Sequence, residues 1–168
     1  IIRFDGRDPF QYVWPCRQGM AAFEATGAQD YAVLDCRVEQ LLIPGRRPRG
    51  HGDLDAERGN LRYYRHILFL KPDMFVLYDV FSPSAYEAEF RLHCLAESVE
   101  FTGNRAVFTG RYGADLEVAV LSQAAPSFST TRVLDTCSVE FRQSPGTPVL
   151  TVLLPFAHGE RQDVDCAF

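Results

Sequence analysis

The feature that most constrains the fold is an unbroken series of strand-like segments over residues 61–95. Apolar segments at 61–70, 74–81 and 85–95 are joined by short polar turns at 71–73 and 82–84, and each turn contains a proline. Segments of this length, rich in aromatic and β-branched residues and bounded by turn residues, are typical of antiparallel strands. The series therefore predicts a large β-sheet.

Period-two patterns recur along the rest of the chain, whereas helical patterns are nearly absent. Further strands are predicted at 1–4, 19–25, 31–38, 99–102, 106–109, 116–121, 137–141 and 149–154. A tight hairpin is predicted at Gly103-Asn104. About a dozen short strands at such spacing indicate an all-β fold, an antiparallel β-sandwich with little or no helix.

Composition limits the architecture and the classes of partner. A chain of 168 residues with 46% apolar content is one ordinary domain and is not disordered. Its apolar stretches are only strand-sized, so no membrane span is predicted. The net charge of −5 gives no reason to expect nucleic acid as a partner. The chain begins at Ile1, inside an apolar segment, so we expect residues 1–168 to be a single domain truncated from a larger protein.

The five cysteines show no CxxC pair and no zinc-like spacing with histidine, so the sequence predicts no metal site. An odd number of cysteines leaves the redox compartment open.

A polar segment at 43–60 is predicted to be a long surface loop, the kind of element that often carries function. It contains His51-Gly52-Asp53, which either binds a cation or orients a general base, or else is simply solvated. It also contains the one cluster of cations that is suited to attract a polyanion, formed by Arg46, Arg47 and Arg49.

Two pairs of polar residues on strands are further candidates for contact with a substrate or with an adjoining domain. Arg65 and His66 are consecutive in a strand and therefore point to opposite faces of the sheet. Arg91 and His93 share one face with Glu89, which is either solvated or in contact with a substrate or another domain.

Several of these motifs together resemble a known family. The strand at 65–70, the Pro72-Asp73 turn, the end of the next strand at 78–80 and the later Phe90-Arg91-Leu92-His93 are similar to the C-terminal β-sheet region of heparinase II/III-like polysaccharide lyases. The similarity covers nearly the whole chain. In this family, Arg65, His66, Asp79 and His93 match positions that we interpret as anchors of the sheet and of its contact with the rest of the enzyme.

The resemblance implies a parent enzyme with an N-terminal α/α toroid and a β-sandwich, between which an acidic polysaccharide binds. Such lyases cleave next to a uronic acid by β-elimination, with Tyr and His as the usual base and acid. A zinc or calcium ion is often held by His and Asp upstream of the region that corresponds to Ile1. The family's metal-binding His-x-His stretch has no counterpart here, so no catalytic residue, metal ligand or cofactor is assigned to this chain.

Acidic extracellular substrates make a periplasmic or secreted location the expectation. Two other classes of function remain open at this point. One is a non-catalytic carbohydrate-binding β-sandwich, which needs exposed aromatic residues such as Tyr12, Trp14 and Tyr112. The other is a structural or assembly domain without a ligand.

Overall fold

The computed structural model describes residues 2–4, 18–42, 56–82, 87–121, 126–133, 136–144 and 147–161. These residues form antiparallel strands and contain no helix, which confirms the predicted all-β class. No helix that is long and apolar enough to cross a membrane occurs among them. The strands are β1 (Ile2–Phe4), β2 (Gln18–Ala25), β3 (Gln29–Leu42), β4 (Ala56–Leu70), β5 (Met74–Ser82), β6 (Ala88–Thr102), β7 (Arg105–Gly110), β8 (Ala114–Leu121), β9 (Phe128–Val133), β10 (Thr136–Gln143) and β11 (Val149–Ala157).

The strands are hydrogen-bonded in the order β2-β3-β4-β5-β11-β8-β7-β6-β10-β9, and β1 pairs with β6 beside this path. Strands β2 to β5 follow one another as antiparallel neighbours, whereas β6, the third strand of the predicted series, does not pair with β5. β11 then lies between β5 and β8, so a late strand joins the two halves of the sheet.

Strand β6 belongs to two parts of the sheet. Its first half pairs with β10 and β1, and its second half pairs with β7, with a register shift between Ala96 and Ser98 in that pairing. The sequence predicted two separate strands here, at 85–95 and 99–102. The structure shows one strand with an irregularity, because a β-bulge bends a strand without ending it.

We call β2, β3, β4, β5, β11, β8, β7 and the second half of β6 the main sheet, and we call the first half of β6 with β1, β10 and β9 the covering layer. Phe90 of the covering layer stacks on Phe141 with 4.8 Å between ring centroids and meets Phe81 of the main sheet edge-on at 5.9 Å. Both layers contribute to one apolar cluster, which also contains Phe108 and Val118. Contact between residues on strands that are not hydrogen-bonded neighbours is compatible with the predicted sandwich.

Local turn chemistry agrees with the sequence in the β6–β7 hairpin. Gly103 has φ of +59°, a left-handed conformation that glycine adopts without steric cost. The prediction of a loop over 43–60 is wrong for residues 56–60, which belong to β4, where Ala56 pairs with Leu42. Residues 43–55 lie outside the described part of the chain.

Candidate functional site

Arg65 lies on the core face of β4 and is committed to a buried carboxylate. Its Nε and Nη2 donate hydrogen bonds of 2.8 and 3.0 Å to Asp79, which lies opposite on β5. The Asp79 side chain is only 1% exposed. Burial raises the pKa of the Asp79 carboxyl above its ordinary value, although Arg65 acts in the opposite direction. A guanidinium in a bidentate pair of this kind holds the two strands together and has few hydrogen-bond donors left for a substrate.

His66 points to the opposite face of β4, as the alternation predicts, and joins an aromatic group there. Its Nδ1 is 2.7 Å from the hydroxyl of Tyr31 on β3, and its ring centroid is 5.8 Å from that of Tyr78 on β5. Tyr78 is 40% exposed. Among the described residues, the Tyr31 hydroxyl and the His66 imidazole form the pair that most resembles the base and acid of a proton transfer.

The cation on the same face as this couple is already neutralised. Arg62 donates from Nε to Asp35 at 2.8 Å and also pairs with it through Nη2, while its guanidinium lies 4.9 Å from the ring centroid of Tyr64. Asp35 holds the pKa of Arg62 above its usual value. A β-elimination site needs a free charge or amide to neutralise the uronate carboxylate. Among the side chains of this face that the structure describes, there is a couple for proton transfer, and the cation Arg62 is already paired with Asp35.

Arg91 and His93 are brought together on the outer face of the covering layer, as the sequence predicts. His93 Nδ1 is 2.6 Å from Oγ of Ser138 on β10. Arg91 is 2.8 Å from Glu140 and 3.2 Å from Glu89. These contacts follow the register, since Ser138 lies opposite His93 and Glu140 lies opposite Arg91.

The charges of this outer face are balanced. Glu89 is buried although it is on the outer face, and Arg142 lies 3.4 Å from it. Arg142 is also 3.7 Å from Glu87. Charged pairs that cross from β6 to β10 bind the two strands to one another. The arrangement supports a role in the sheet, and the described side chains of this face form no positive surface for a polyanion.

A third polar group, which the sequence did not indicate, lies near the β7–β8 turn. Glu117 is buried and accepts from Arg105 at 2.5 Å and from Arg161 at 3.0 Å. Asp115 accepts from the backbone N–H of Gly110 at 2.9 Å and is 3.2 Å from His158 Nδ1. Burial alone would raise the pKa of Asp115, but these two hydrogen bonds and the nearby imidazole lower it. One signal in the sequence could have indicated this group: Asp115 and Glu117 occupy alternate positions of an apolar strand. A charge that is buried in such a strand requires a partner.

A shallow depression of about 190 Å³ adjoins this group. Its lining includes Asp73, Glu117 and Glu160, and its remaining walls are main chain and side chains of β11. Within the described residues, no three His, Cys, Asp or Glu side chains are placed to hold a metal ion.

The remaining predicted site residues can be placed only in part. Tyr112 is 86% exposed in the turn between β7 and β8. The other predicted residues of the arginine loop and of the N-terminal aromatic group are outside the described residues, namely Tyr12, Trp14, Arg46, Arg47, Arg49 and His51.

Comparison of the fold with solved structures finds polysaccharide lyases. A heparan sulfate lyase from Pedobacter heparinus superposes with a TM-score of 0.68 over 96% of this chain, at 15% identity. A heparinase III superposes with a TM-score of 0.66 over 93% of this chain, at 12% identity. Heparinase III and heparan sulfate lyase contain this fold. Another heparinase III structure matches over 83% of the chain with a TM-score of 0.59 and 17% identity.

The predicted resemblance is thus confirmed at the level of the fold. The chain covers only 23% and 24% of the first two structures, about a quarter of their length. No family model matches the sequence. No curated protein matches it either.

Proposed function

We propose that this chain is the C-terminal β-sandwich part of a polysaccharide lyase that cleaves uronic-acid-containing polysaccharide by β-elimination. The observation that carries the proposal is the superposition on heparan sulfate lyase over 96% of this chain but 24% of the other. In this role the sheet supports the fold and one wall of the cleft and is not catalytic alone. An N-terminal α/α toroid of the same polypeptide supplies the other wall, and the enzyme is periplasmic or secreted.

The proposed reaction requires three functions around the scissile bond. A base removes the proton at C5 of the uronic acid, a neighbouring group neutralises the carboxylate, and an acid protonates the leaving glycosidic oxygen. Among the described residues the cations that could neutralise the carboxylate are engaged: Arg65 by Asp79, Arg62 by Asp35 and Arg91 by Glu140. The residues for this step are therefore expected outside the described part of this chain.

The test is a lyase assay on the longer gene product and on the isolated chain, with several uronic-acid polymers as substrates. We expect the longer protein to form an unsaturated product that absorbs in the ultraviolet, and we expect none from the isolated chain. Turnover by the isolated chain would contradict the supporting role. Absence of turnover by the longer protein on every such polymer would contradict the lyase proposal.

A second candidate, a non-catalytic carbohydrate-binding sandwich, is favoured by the exposure of Tyr112 at 86% and Tyr78 at 40%. Aromatic faces of this kind offer an apolar surface on which a sugar ring can stack. Glycan-array binding by the isolated chain, reduced by Tyr112→Ala or Tyr78→Ala, would support this function in preference to the first.

A further inference from the structure

The covering layer shields only part of the main sheet, and one row of neighbouring residues across the core face shows where the shielding ends. Val120 on β8 is 0% exposed and Thr151 on β11 is 6% exposed. Leu77 on β5 and Ile67 on β4 continue the row and are intermediate. Phe23 on β2, at the end of the same row, is 62% exposed. Burial is thus lost progressively from the centre of the sheet towards β2.

The adjacent row gives the same result. Val149 on β11 is 0% exposed and Asp79 on β5 is 1% exposed. Arg65 and Leu34 follow on β4 and β3 with intermediate exposure. Met20 on β2 ends the row at 63% exposure. Two independent rows therefore place the limit of the covering layer near β5.

The surface beyond this limit is apolar and continuous with the core. Phe69 and Phe75 stack there with ring centroids 4.2 Å apart. Among the described residues, charged groups adjoin this surface at the Lys71–Asp30 ion pair of 2.8 Å and at the Arg65–Asp79 pair, where Arg65 lies opposite Leu34. We call this surface the uncovered face; its members are Met20, Phe23, Ala32, Leu34, Ile67, Phe69, Phe75 and Leu77.

We propose that further β-strands, from the part of the parent polypeptide outside this chain, pack on the uncovered face and extend the covering layer. Large contiguous apolar surfaces mark sites of contact with protein. A flat sheet face is suited to a second sheet stacked at about 10 Å. Because the row through Leu77 and Ile67 joins the uncovered face to the core by apolar side chains, its occupant continues the same apolar layer.

The length of the structural neighbours supports an occupant from the same polypeptide. This chain matches 23% and 24% of them, so proteins with this fold carry about three times as much additional chain. The inference rests on the part of the proposed function that places the chain in a longer protein, and it does not depend on the lyase reaction.

Hydroxyl-radical footprinting of the longer gene product, read residue by residue by mass spectrometry, tests the contact. Met20 and Phe23 are both oxidised readily when exposed, and Tyr112, which is 86% exposed and outside the uncovered face, is the internal reference. In the isolated chain we expect all three to react at rates set by their exposure. In the longer protein we expect about tenfold slower oxidation of Met20 and Phe23, because their exposure would fall from 63% and 62% to that of a core residue such as Phe90 at 5%, with no change at Tyr112.

A pair of substitutions in the longer protein tests the same contact without the isolated chain. Phe23→Lys places a charge into the proposed interface, and Glu24→Lys places the same side chain one residue away on the opposite face. We expect Phe23→Lys to lower the melting temperature of the longer protein and to restore rapid oxidation of Met20. Glu24→Lys should leave both unchanged.

Several results would overturn the inference. One is rapid oxidation of Met20 and Phe23 in the longer protein, and another is an equal effect of the two lysine substitutions. A third is a gene product that contains no residues beyond this chain. Protection of both residues in the isolated chain would show that its own residues or a second copy cover the face, and the concentration dependence of that protection would separate these two occupants. Lyase activity is read separately, so protection without turnover would contradict the proposed reaction while supporting this contact.

Discussion

Replacing Arg65 with methionine should destabilise the chain strongly, because Asp79 would remain buried without its guanidinium. Asp79 is 1% exposed, and Arg65 itself is 24% exposed. Removing one partner of a buried ion pair costs about 3–5 kcal/mol, and the partial exposure of Arg65 places the expected cost near the lower end, at about 3 kcal/mol. That loss corresponds to a decrease of more than about 100-fold in the ratio of folded to unfolded chain.

The assay is urea denaturation followed by far-UV circular dichroism, with the slope of the free energy against urea held in common. The matched control is Arg62→Met on the neighbouring exposed pair, where 43% exposure of the arginine predicts a much smaller effect. The double variant Arg65→Met with Asp79→Leu should recover most of the lost stability, because no charge is left in the core. Equal costs for Arg65→Met and Arg62→Met would refute the reasoning.

The pH dependence of the Arg65→Met variant gives a second measure of the same pair. Burial already raises the pKa of Asp79 in the folded protein, and removal of Arg65 should raise it further. A carboxyl group whose pKa is raised by folding favours the folded state below its ordinary pKa and loses that contribution as the pH rises through the folded value. The deficit of the variant should therefore be larger near neutral pH than in acid.

The other predictions concern single groups. His93→Ala should cost about 1 kcal/mol in urea denaturation because Ser138 loses its partner, and a parent enzyme that stays fully folded yet loses turnover would contradict this structural role. Asp115→Asn should weaken the fall in urea midpoint between about pH 5 and pH 3, because a carboxyl with a lowered pKa stabilises the fold above its ordinary pKa and loses this effect in acid. An unchanged pH profile would count against the hydrogen bonds to this carboxyl. Burial raises the pKa of the Cys94 thiol to about 11, so it should react with iodoacetamide at about pH 8 much more slowly in the folded chain than in urea, and equal rates would be inconsistent with its burial. Charge reversal of the arginine cluster in the predicted surface loop should weaken polyanion binding by the parent enzyme and reduce its salt dependence, and the idea fails if neither changes; the residues to reverse are Arg46, Arg47 and Arg49.

Much of the fold could be predicted from the alternation of apolar and polar residues. Strands β3, β4 and β5 follow from period-two patterns and turn residues, and the structure has these strands, but the strand that follows the 82–84 turn pairs elsewhere. β9 was missed because its Ser-Thr-Thr core carries no apolar alternation, and it is held by pairing with β10. The position of β11 between β5 and β8 could not be predicted, because it depends on pairing between distant segments.

In the candidate site, the sheet face of each residue could be predicted from the sequence, but its partners could not. Alternation alone placed Arg65 and His66 on opposite faces and placed Arg91 beside His93. Their partners were not predictable, because Tyr31 is 35 residues from His66 and Ser138 is 45 residues from His93. Such contacts require the register between strands, which the local sequence does not contain.

A nascent chain that emerges from the ribosome cannot complete the main sheet until β11 has been made, because β11 lies between β5 and β8. Translation at about 5–20 residues per second leaves the free edge of β5 open for a matter of seconds. Open strand edges pair readily with other chains. A translational pause between Ser82 and Val149 should therefore increase aggregation of the newly made protein, whereas a pause after Ala157 should not.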